Sequence, residues 1–377
     1  MASFVLALVL FPVWIYLAGT VIAAMRFARR RSVLPSEQPP VSVLKPLYGA
    51  EPGLYENLRS FIDQDYPRRQ IVFGVRNPED GALPVVRRLT AERPDVDIDL
   101  VVDARAGGGN LKVANLINML PAAKHDLLVF ADSDMHVDRR YLATVTAPLQ
   151  DPAVGLVTCL YRGLPIGGLW SRLGALHINF GFLPSALLGE ALGTGGGCFG
   201  ATIALRRAVL DRIGGLGVVR DELADDHRIG AAVRELGLPT VLSPYIVETS
   251  VSEKNLKCLW RHELRWARTV RAMAPVGFAG SAVTHAVAIA ALAAIFSGLS
   301  LTSLVFLAIS CLFRWMTAGA TARILRLPIA GLWLLPVRDL LSFGVFVGSF
   351  FGRNVSWRDQ LFRIEPSGRI IVERDGE

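Results

Sequence analysis

The sequence predicts an α/β domain with parallel strands in its sheet, flanked by membrane helices. Three observations carry that prediction. From residue 41 to residue 131, short apolar runs alternate with helical patterns at the spacing of βαβ units. Apolar residues make up 52% of the 377 and charged residues 19%, with the excess gathered at residues 2–25, 277–313 and 328–351. Finally, Asp132-Ser133-Asp134 follows the apolar run at 127–131, which reads as a fully buried strand. Open α/β sheets bind ligands just past the carboxyl ends of such strands.

Residues 1–25 suffice to cross a hydrocarbon core of roughly 30 Å as a helix. Nothing basic precedes them, and Arg26, Arg29, Arg30 and Arg31 follow. That charge order is the reverse of a signal peptide, so a retained anchor with a cytoplasmic domain is expected. A linker at 26–40, proline-rich at its end, leads to strands at 41–44, 70–75, 98–102 and 127–131. Helices at 54–62, 83–91 and 111–120 connect them by right-handed crossovers. After Asp134 the pattern changes. A strand at 155–158, an amphipathic segment at 169–188, a glycine run at 193–197 and a strand at 199–205 follow, then a helix at 206–213 and an acidic segment at 221–227. The domain is bounded at 41–253.

Residues 254–274 combine Trp and Leu with Lys254, Lys257, Arg261, Arg265, Arg268 and Arg271, the composition of a helix lying in a membrane interface. Membrane segments are expected over 275–352, with residues 277–298 leading out and 299–313 returning, so that Arg314, Arg323 and Arg326 fall on the cytoplasmic side. Pro336 and Arg338-Asp339 interrupt the last one, so a broken or re-entrant segment is expected. The basic tail, 353–377 (Arg353, Arg358, Arg363, Arg369, Arg374), then lies on the cytoplasmic side. The formal charge of +7 fits anionic lipid headgroups, because no aromatic-studded basic platform for nucleic acid is present. Cys159, Cys198, Cys258 and Cys311 have neither zinc-site nor disulfide-framework spacing.

Asp132 and Asp134 are hard oxygen ligands suited to Mg²⁺ or Mn²⁺, ions that also hold substrate phosphates. The alternative for an isolated Asp-x-Asp is a solvated turn. The ordered motifs around it decide between them. Val41-Ser42-Val43-Leu44-Lys45-Pro46-Leu47, Asp63-Gln64-Asp65-Tyr66-Pro67 and Asn110-Leu111-Lys112-Val113-Ala114-Asn115 precede the acids. Ala224-Asp225-Asp226-His227 and His262-Glu263-Leu264-Arg265-Trp266 follow them. Together they resemble the ceramide glucosyltransferase family, a branch of the inverting, nucleotide-sugar-dependent A-type glycosyltransferases. Within it, Leu160-Tyr161-Arg162-Gly163 and Trp170-Ser171-Arg172-Leu173-Gly174-Ala175-Leu176 look most similar to bacterial hopanoid-biosynthesis glycosyltransferases, which attach N-acetylglucosamine to bacteriohopanetetrol.

The resemblance implies an A-type glycosyltransferase fold, a Rossmann-like mixed sheet, and a UDP-sugar-dependent lipid glycosyltransferase at the inner membrane. It implies a Mg²⁺ or Mn²⁺ cofactor at Asp134 and Asp132, and Asp226 as the general base for the acceptor hydroxyl. Donor contacts are expected from Lys45, Asn77, Asp80, Lys112, Asp132 and Arg265, and acceptor-side contacts from Gly196, Gly197, Trp266 and His262. Where the family carries its first acid this chain has Asn77, with Glu79 and Asp80 beside it. The closing motif begins with His262 in place of Gln or Arg. The acceptor is expected to be a hopanoid or, alternatively, ceramide receiving glucose. Rival classes are a transporter or scaffold with a nucleotide-binding domain, and a processive polysaccharide synthase, for which the apolar segments are too few.

Overall fold

The computed structural model describes residues 2–31, 37–194, 197–352, 354–357, 360–365 and 369–372. Linker residues 32–36, Gly195, Gly196, Arg353, Arg358 and Arg374 lie outside the described residues. In chain order the main strands are β1 (Val41–Pro46), β2 (Arg69–Val75), β3 (Asp97–Val102), β4 (Leu127–Phe130), β5 (Met135–His136), β6 (Leu156–Pro165), β7 (Ile203–Arg206) and β8 (Thr240–Val251). They form one sheet in the order β3-β2-β1-β4-β7-β6-β8-β5. The first four neighbours are parallel, β7 runs antiparallel to β4 and β6, and β8 pairs parallel with β6.

Alternation along the strands explains the layers. Val41 and Val43 face one side with Leu58, Phe61 and Val86, whereas Leu44, Val72 and Leu128 face the other with Val113, Leu116 and Val233. Helices Leu54–Ile62 and Leu83–Glu92 cover the first face, and Leu111–Met119 and Asp225–Glu235 the second.

The sheet extends beyond the expected strands. β6 has 10 residues and pairs with β8, a 12-residue strand that the sequence pattern did not announce. Pro244 lies inside β8, and a proline ordinarily argues against a central strand. Here the pairing steps from Thr158–Leu242 to Leu160–Ile246, a bulge that takes Pro244 out of the ladder.

Apolar helices able to cross a membrane are Leu6–Ala28, Leu301–Leu325 and Leu332–Ser349, with a further pair, Pro275–Thr284 and Ala286–Phe296, bent by 71°. The return segment is thus longer than the expected 299–313. Arg314, expected at its cytoplasmic end, lies mid-helix and buried, where Asp339 neutralises it at 2.8 Å, so the charge does not end the span. The segment at 169–188 is the joint between domain and bundle. It forms helices Leu169–His177 and Leu183–Ala191 with a wider turn between, packed on Ala23, Phe27, Ala318 and Ala322. The tail is folded: β9 (Asn354–Trp357), β10 (Gln360–Ile364) and β11 (Ile370–Val372) make an antiparallel sheet. Ile370 N–H donates to Asp221 O at 2.9 Å, and Val355, Phe362 and Ile370 pack with Leu223.

Candidate active site

The site lies at the carboxyl ends of the adjacent strands β1 and β4. Lys45, the penultimate residue of β1, is fully buried; its ammonium donates to Asp132 O at 2.7 Å and stands 3.5 Å from the centre of the Phe61 ring. Burial lowers its pKa to about 7 against the pull of Asp134 and Asp132. Asn110 caps helix Leu111–Met119, its Oδ1 accepting from Lys112 N at 3.0 Å and Val113 N at 3.2 Å. That fixed first turn aims Lys112 Nζ at Asp132 Oδ1, 2.8 Å away, and Asp225 Oδ2, 3.3 Å away. Burial alone would lower the Lys112 pKa, but the two carboxylates outweigh it and hold the ammonium charged.

Asp134 sits deeper. Thr249 Oγ1 donates to its Oδ2 at 2.9 Å, and Ser250 N–H to its carbonyl at 3.1 Å. Burial, then the charges of Asp132 and Glu51, push the Asp134 carboxyl up to about 7. Ser133 Oγ in turn holds Glu51 Oε2 at 2.8 Å.

Asp225 and Asp226 open helix Asp225–Glu235, so neither is its N-cap; that position is Ala224. Asp225 is buried against Lys112 and Asn110 Nδ2 (3.3 Å), a structural anchor. Asp226 Oδ2 accepts from Gly200 N–H at 2.8 Å and Oδ1 from His227 N–H at 2.7 Å. Burial and then Asp225 raise its carboxyl to about 6. Gly200 marks the centre: a Cβ there would stand 3.3 Å from Lys112 Nζ and 3.4 Å from both Asp132 Oδ2 and Asp226 Oδ2.

A cavity of about 1170 Å³ joins these groups and continues between the membrane helices. Lys112, Asp132, Asp134, Gly197, Asp226, His262, Arg265 and Trp266 line it. His262 Nδ1 lies 2.8 Å from Glu253 Oε1, and its ring is 4.2 Å from that of Trp266. Three expected donor residues do not line it. Lys45 is bonded to Asp132 O behind the cavity wall. Asp80 Oδ1 accepts from Gly49 N–H (2.9 Å) and Ala82 N–H (2.8 Å), tying two loops together. Asn77 Oδ1 closes its own turn onto Glu79 N–H at 3.0 Å. Gly196 lies outside the described residues. Sequence reasoning overlooked Glu51, Gly200 and Thr249. All three lie outside the motifs quoted above.

The donor set suits a divalent ion. Asp132, Asp134 and the more exposed Glu51 share one corner of the cavity, where burial first and then the charges of Asp132 and Glu51 raise the Asp134 pKa. Among the described residues no three His, Cys, Asp or Glu side chains are poised around one point. Such a corner fits an ion that takes one or two carboxylates and completes its shell with substrate phosphate and water.

Comparison with known proteins finds similarity over most of the chain. The profile of Glycosyl transferase family 21 matches residues 11–370. Ceramide glucosyltransferase 1 of Caenorhabditis elegans is 23% identical over 348 residues, spanning 90% of this chain and 74% of that protein. Ceramide glucosyltransferase of Candida albicans is 33% identical over 107 residues, 25% of this chain and 20% of its own. Among solved structures, a mannosyltransferase from Pyrobaculum calidifontis in complex with GDP-Man and Mn²⁺ aligns with a TM-score of 0.59 at 20% identity. The alignment covers 93% of this chain and 99% of that one, a likeness of fold.

Proposed function

The chain belongs to glycosyl transferase family 21, and from that premise we propose that it moves one sugar from a UDP-sugar to the hydroxyl of a membrane lipid with inversion. The observation that carries this reading is the continuous cavity, with paired carboxylates at one end and membrane helices at the other. Such a shape lets a water-soluble donor and a lipid acceptor meet without either leaving its phase.

Lys112, Asp132 and Arg265 face the donor. Arg265 brings a guanidinium that can grip phosphate in a bidentate way, which lysine could not reproduce. Mg²⁺ or Mn²⁺ bound at Asp134 and Asp132 would supply Lewis-acid neutralisation of charge on the leaving diphosphate. Asp226 takes the proton of the acceptor hydroxyl. That oxygen bonds to the anomeric carbon as the bond from that carbon to the diphosphate oxygen breaks, and UDP carries away the electron pair. Two N–H donors, from Gly200 and His227, keep the Asp226 carboxylate oriented, and a pKa of about 6 leaves it ionised yet basic at neutral pH. His262, Trp266 and Gly197 form the acceptor-side wall.

The relatives favour glucose as the sugar and ceramide as the acceptor. A second reading, N-acetylglucosamine onto bacteriohopanetetrol, draws on the motif runs at 160–163 and 170–176. These runs pack together at the domain–bundle joint, where a Cβ at Gly163 would meet Ala175 Cα at 2.9 Å. The arginines after the first helix support a catalytic domain on the cytoplasmic face of the inner membrane. Lipid mass spectrometry of a host with and without the chain tests both readings. A hexose increment on ceramide supports the first, an N-acetylhexosamine increment on hopanoid the second, and neither refutes the lipid reading.

A further inference from the structure

Asp226 lies in the first turn of helix Asp225–Glu235, and that helix start is not held in the usual way. Its N-cap is Ala224, whose methyl cannot accept from the first amides. The segment before it is fixed from outside instead. Asn110 N–H donates to Arg220 O at 2.8 Å, Asn110 Nδ2 to Glu222 O at 2.8 Å, and Gly109 N–H to Asp221 Oδ1 at 2.8 Å. The carbonyl between these, Asp221 O, accepts from Ile370 N–H of the C-terminal sheet at 2.9 Å. Side chains seal the same contact. Leu223 is buried against Val355, Phe362 and Ile370, one residue from each strand of that sheet. A Cβ at Gly109 would stand 3.0 Å from Ile370 Cγ1, so the surfaces meet closely.

The C-terminal segment also grips helix Leu256–Met273, which carries Arg265 and Trp266. Arg268 donates to Asn354 O, Arg271 Nη2 donates to Gly352 O at 3.0 Å, and Ala272 packs on the sheet's apolar cluster. Among the described residues, none of the three strands lines the cavity, whereas Leu223 and Ala224 do. Whatever the sheet does for the site it therefore does through the segment it holds.

We propose that the C-terminal sheet positions the base, with Ile370 and Phe362 as the positioning residues that fix residues 221–224 and hence the place of Asp226. This rests on the reading of Asp226 as base and adds the part of the chain that holds it there. The leverage is large, because a displacement of about 1 Å at a reacting group costs on the order of 100-fold in rate.

The test uses the full chain in nanodiscs with UDP-glucose or UDP-N-acetylglucosamine, and ceramide or bacteriohopanetetrol, in separate arms. Ile370→Pro removes the N–H spent on Asp221 together with the side chain, and should lower kcat by about 100-fold. Ile370→Ala keeps the N–H and should lower kcat by about tenfold, and Ile370→Val should restore it. The Kd for UDP with Mn²⁺ should stay within about twofold throughout, which separates misplacement of the base from loss of fold or donor site. Ile370→Ala added to Asp226→Asn should cost nothing beyond Asp226→Asn alone, since both act on one group. Hydrogen exchange reads the coupling without any acceptor: amides of residues 221–230 should exchange faster in Ile370→Pro, and those of 111–119 should not. If Ile370→Pro does not fold, Ile370→Ala decides by the same readouts. Wild-type kcat in a folded variant, unchanged exchange over 221–230, a raised UDP Kd, or additive losses with Asp226→Asn overturn the inference. Wild-type kcat in Asp226→Asn itself instead refutes the base reading on which it rests.

Discussion

Replacing Asp226 by Asn tests the proposed base most directly. The substitution preserves shape, and the consequences can be worked from the two hydrogen bonds the carboxylate accepts. An Asn side chain can accept from Gly200 N–H or from His227 N–H, but its amide nitrogen then faces the other donor. One lost hydrogen bond costs about 1 kcal/mol, partly offset because the like charge of Asp225 is no longer opposed. The fold should therefore survive. The neutral amide cannot take the acceptor proton, so kcat should fall by at least ~100-fold, about 2.7 kcal/mol of barrier. Donor affinity should hold, since a negative charge has been removed from beside a diphosphate. The pH profile adds an independent check. The base works deprotonated and its pKa is raised to about 6, so wild-type kcat should climb as pH rises through about 6 and level off above. The variant should lack that limb. The assay is UDP release at saturating donor, metal and lipid across pH 5–8. A variant that keeps kcat within a few-fold but loses donor affinity would refute the assignment, as would persistence of the limb near pH 6.

Asp134→Asn should abolish transfer yet raise the melting temperature of the donor-free protein at pH 8. The wild-type carboxyl is raised to about 7, so its buried charge destabilises above that pH and the difference should shrink below it. In differential scanning fluorimetry, Mn²⁺ with UDP should stabilise wild type and leave the variant unmoved; equal stabilisation of both would exclude Asp134 as a metal ligand. Gly200→Ala, whose Cβ would enter the space between Lys112, Asp132 and Asp226, should raise donor KM with the fold intact by circular dichroism. A reporter fused at the C-terminus should report the same side of the membrane as one inserted in the domain, because β11 is hydrogen-bonded to Asp221; opposite sides would contradict that docking.

The parallel half of the sheet was legible because its strands are continuous apolar runs, and the helix at Leu54–Ile62 because its apolar spacing is regular. The position of Asp132 and Asp134 followed from the same strand logic. Beyond β4 the strands expected at 155–158 and 199–205 fall on β6 and β7, but the full length of β6 and all of β8 were not legible. β8 carries a proline, and its burial alternates only partly, so no local pattern separates it from a loop. Gly200 was hidden for another reason: its importance comes from three side chains that approach it from distant elements. Arg314 misled because a lone arginine after an apolar run looks like a span's end, and its partner Asp339 is 25 residues away. Lys45 matched a motif, and its ammonium is bonded to Asp132 O outside the cavity lining, a placement that no motif match discloses.

The docked tail limits how the bundle can sit in a membrane. Since β11 pairs with the domain, domain and tail share one side, and the chain between Met273 and Asn354 must cross an even number of times. Three segments are available: the bent pair, Leu301–Leu325 and Leu332–Ser349. At 1.5 Å per residue the 25 residues of Leu301–Leu325 extend roughly 37 Å, enough to cross. The last segment is bound to helix Leu256–Met273, which carries the basic residues expected at a membrane interface. Arg338 pairs with Glu263 near its start, and Trp260 packs against Gly344 and Gly348 midway, where a Cβ would stand 3.5 and 3.1 Å from the indole. At its end Arg271 holds Gly352 O at 3.0 Å and Arg268 holds Phe351 O. If helix Leu256–Met273 lies at the membrane face, as its basic residues lead one to expect, the segment bound to it is held there too. The bent pair and Leu301–Leu325 would then supply the two crossings.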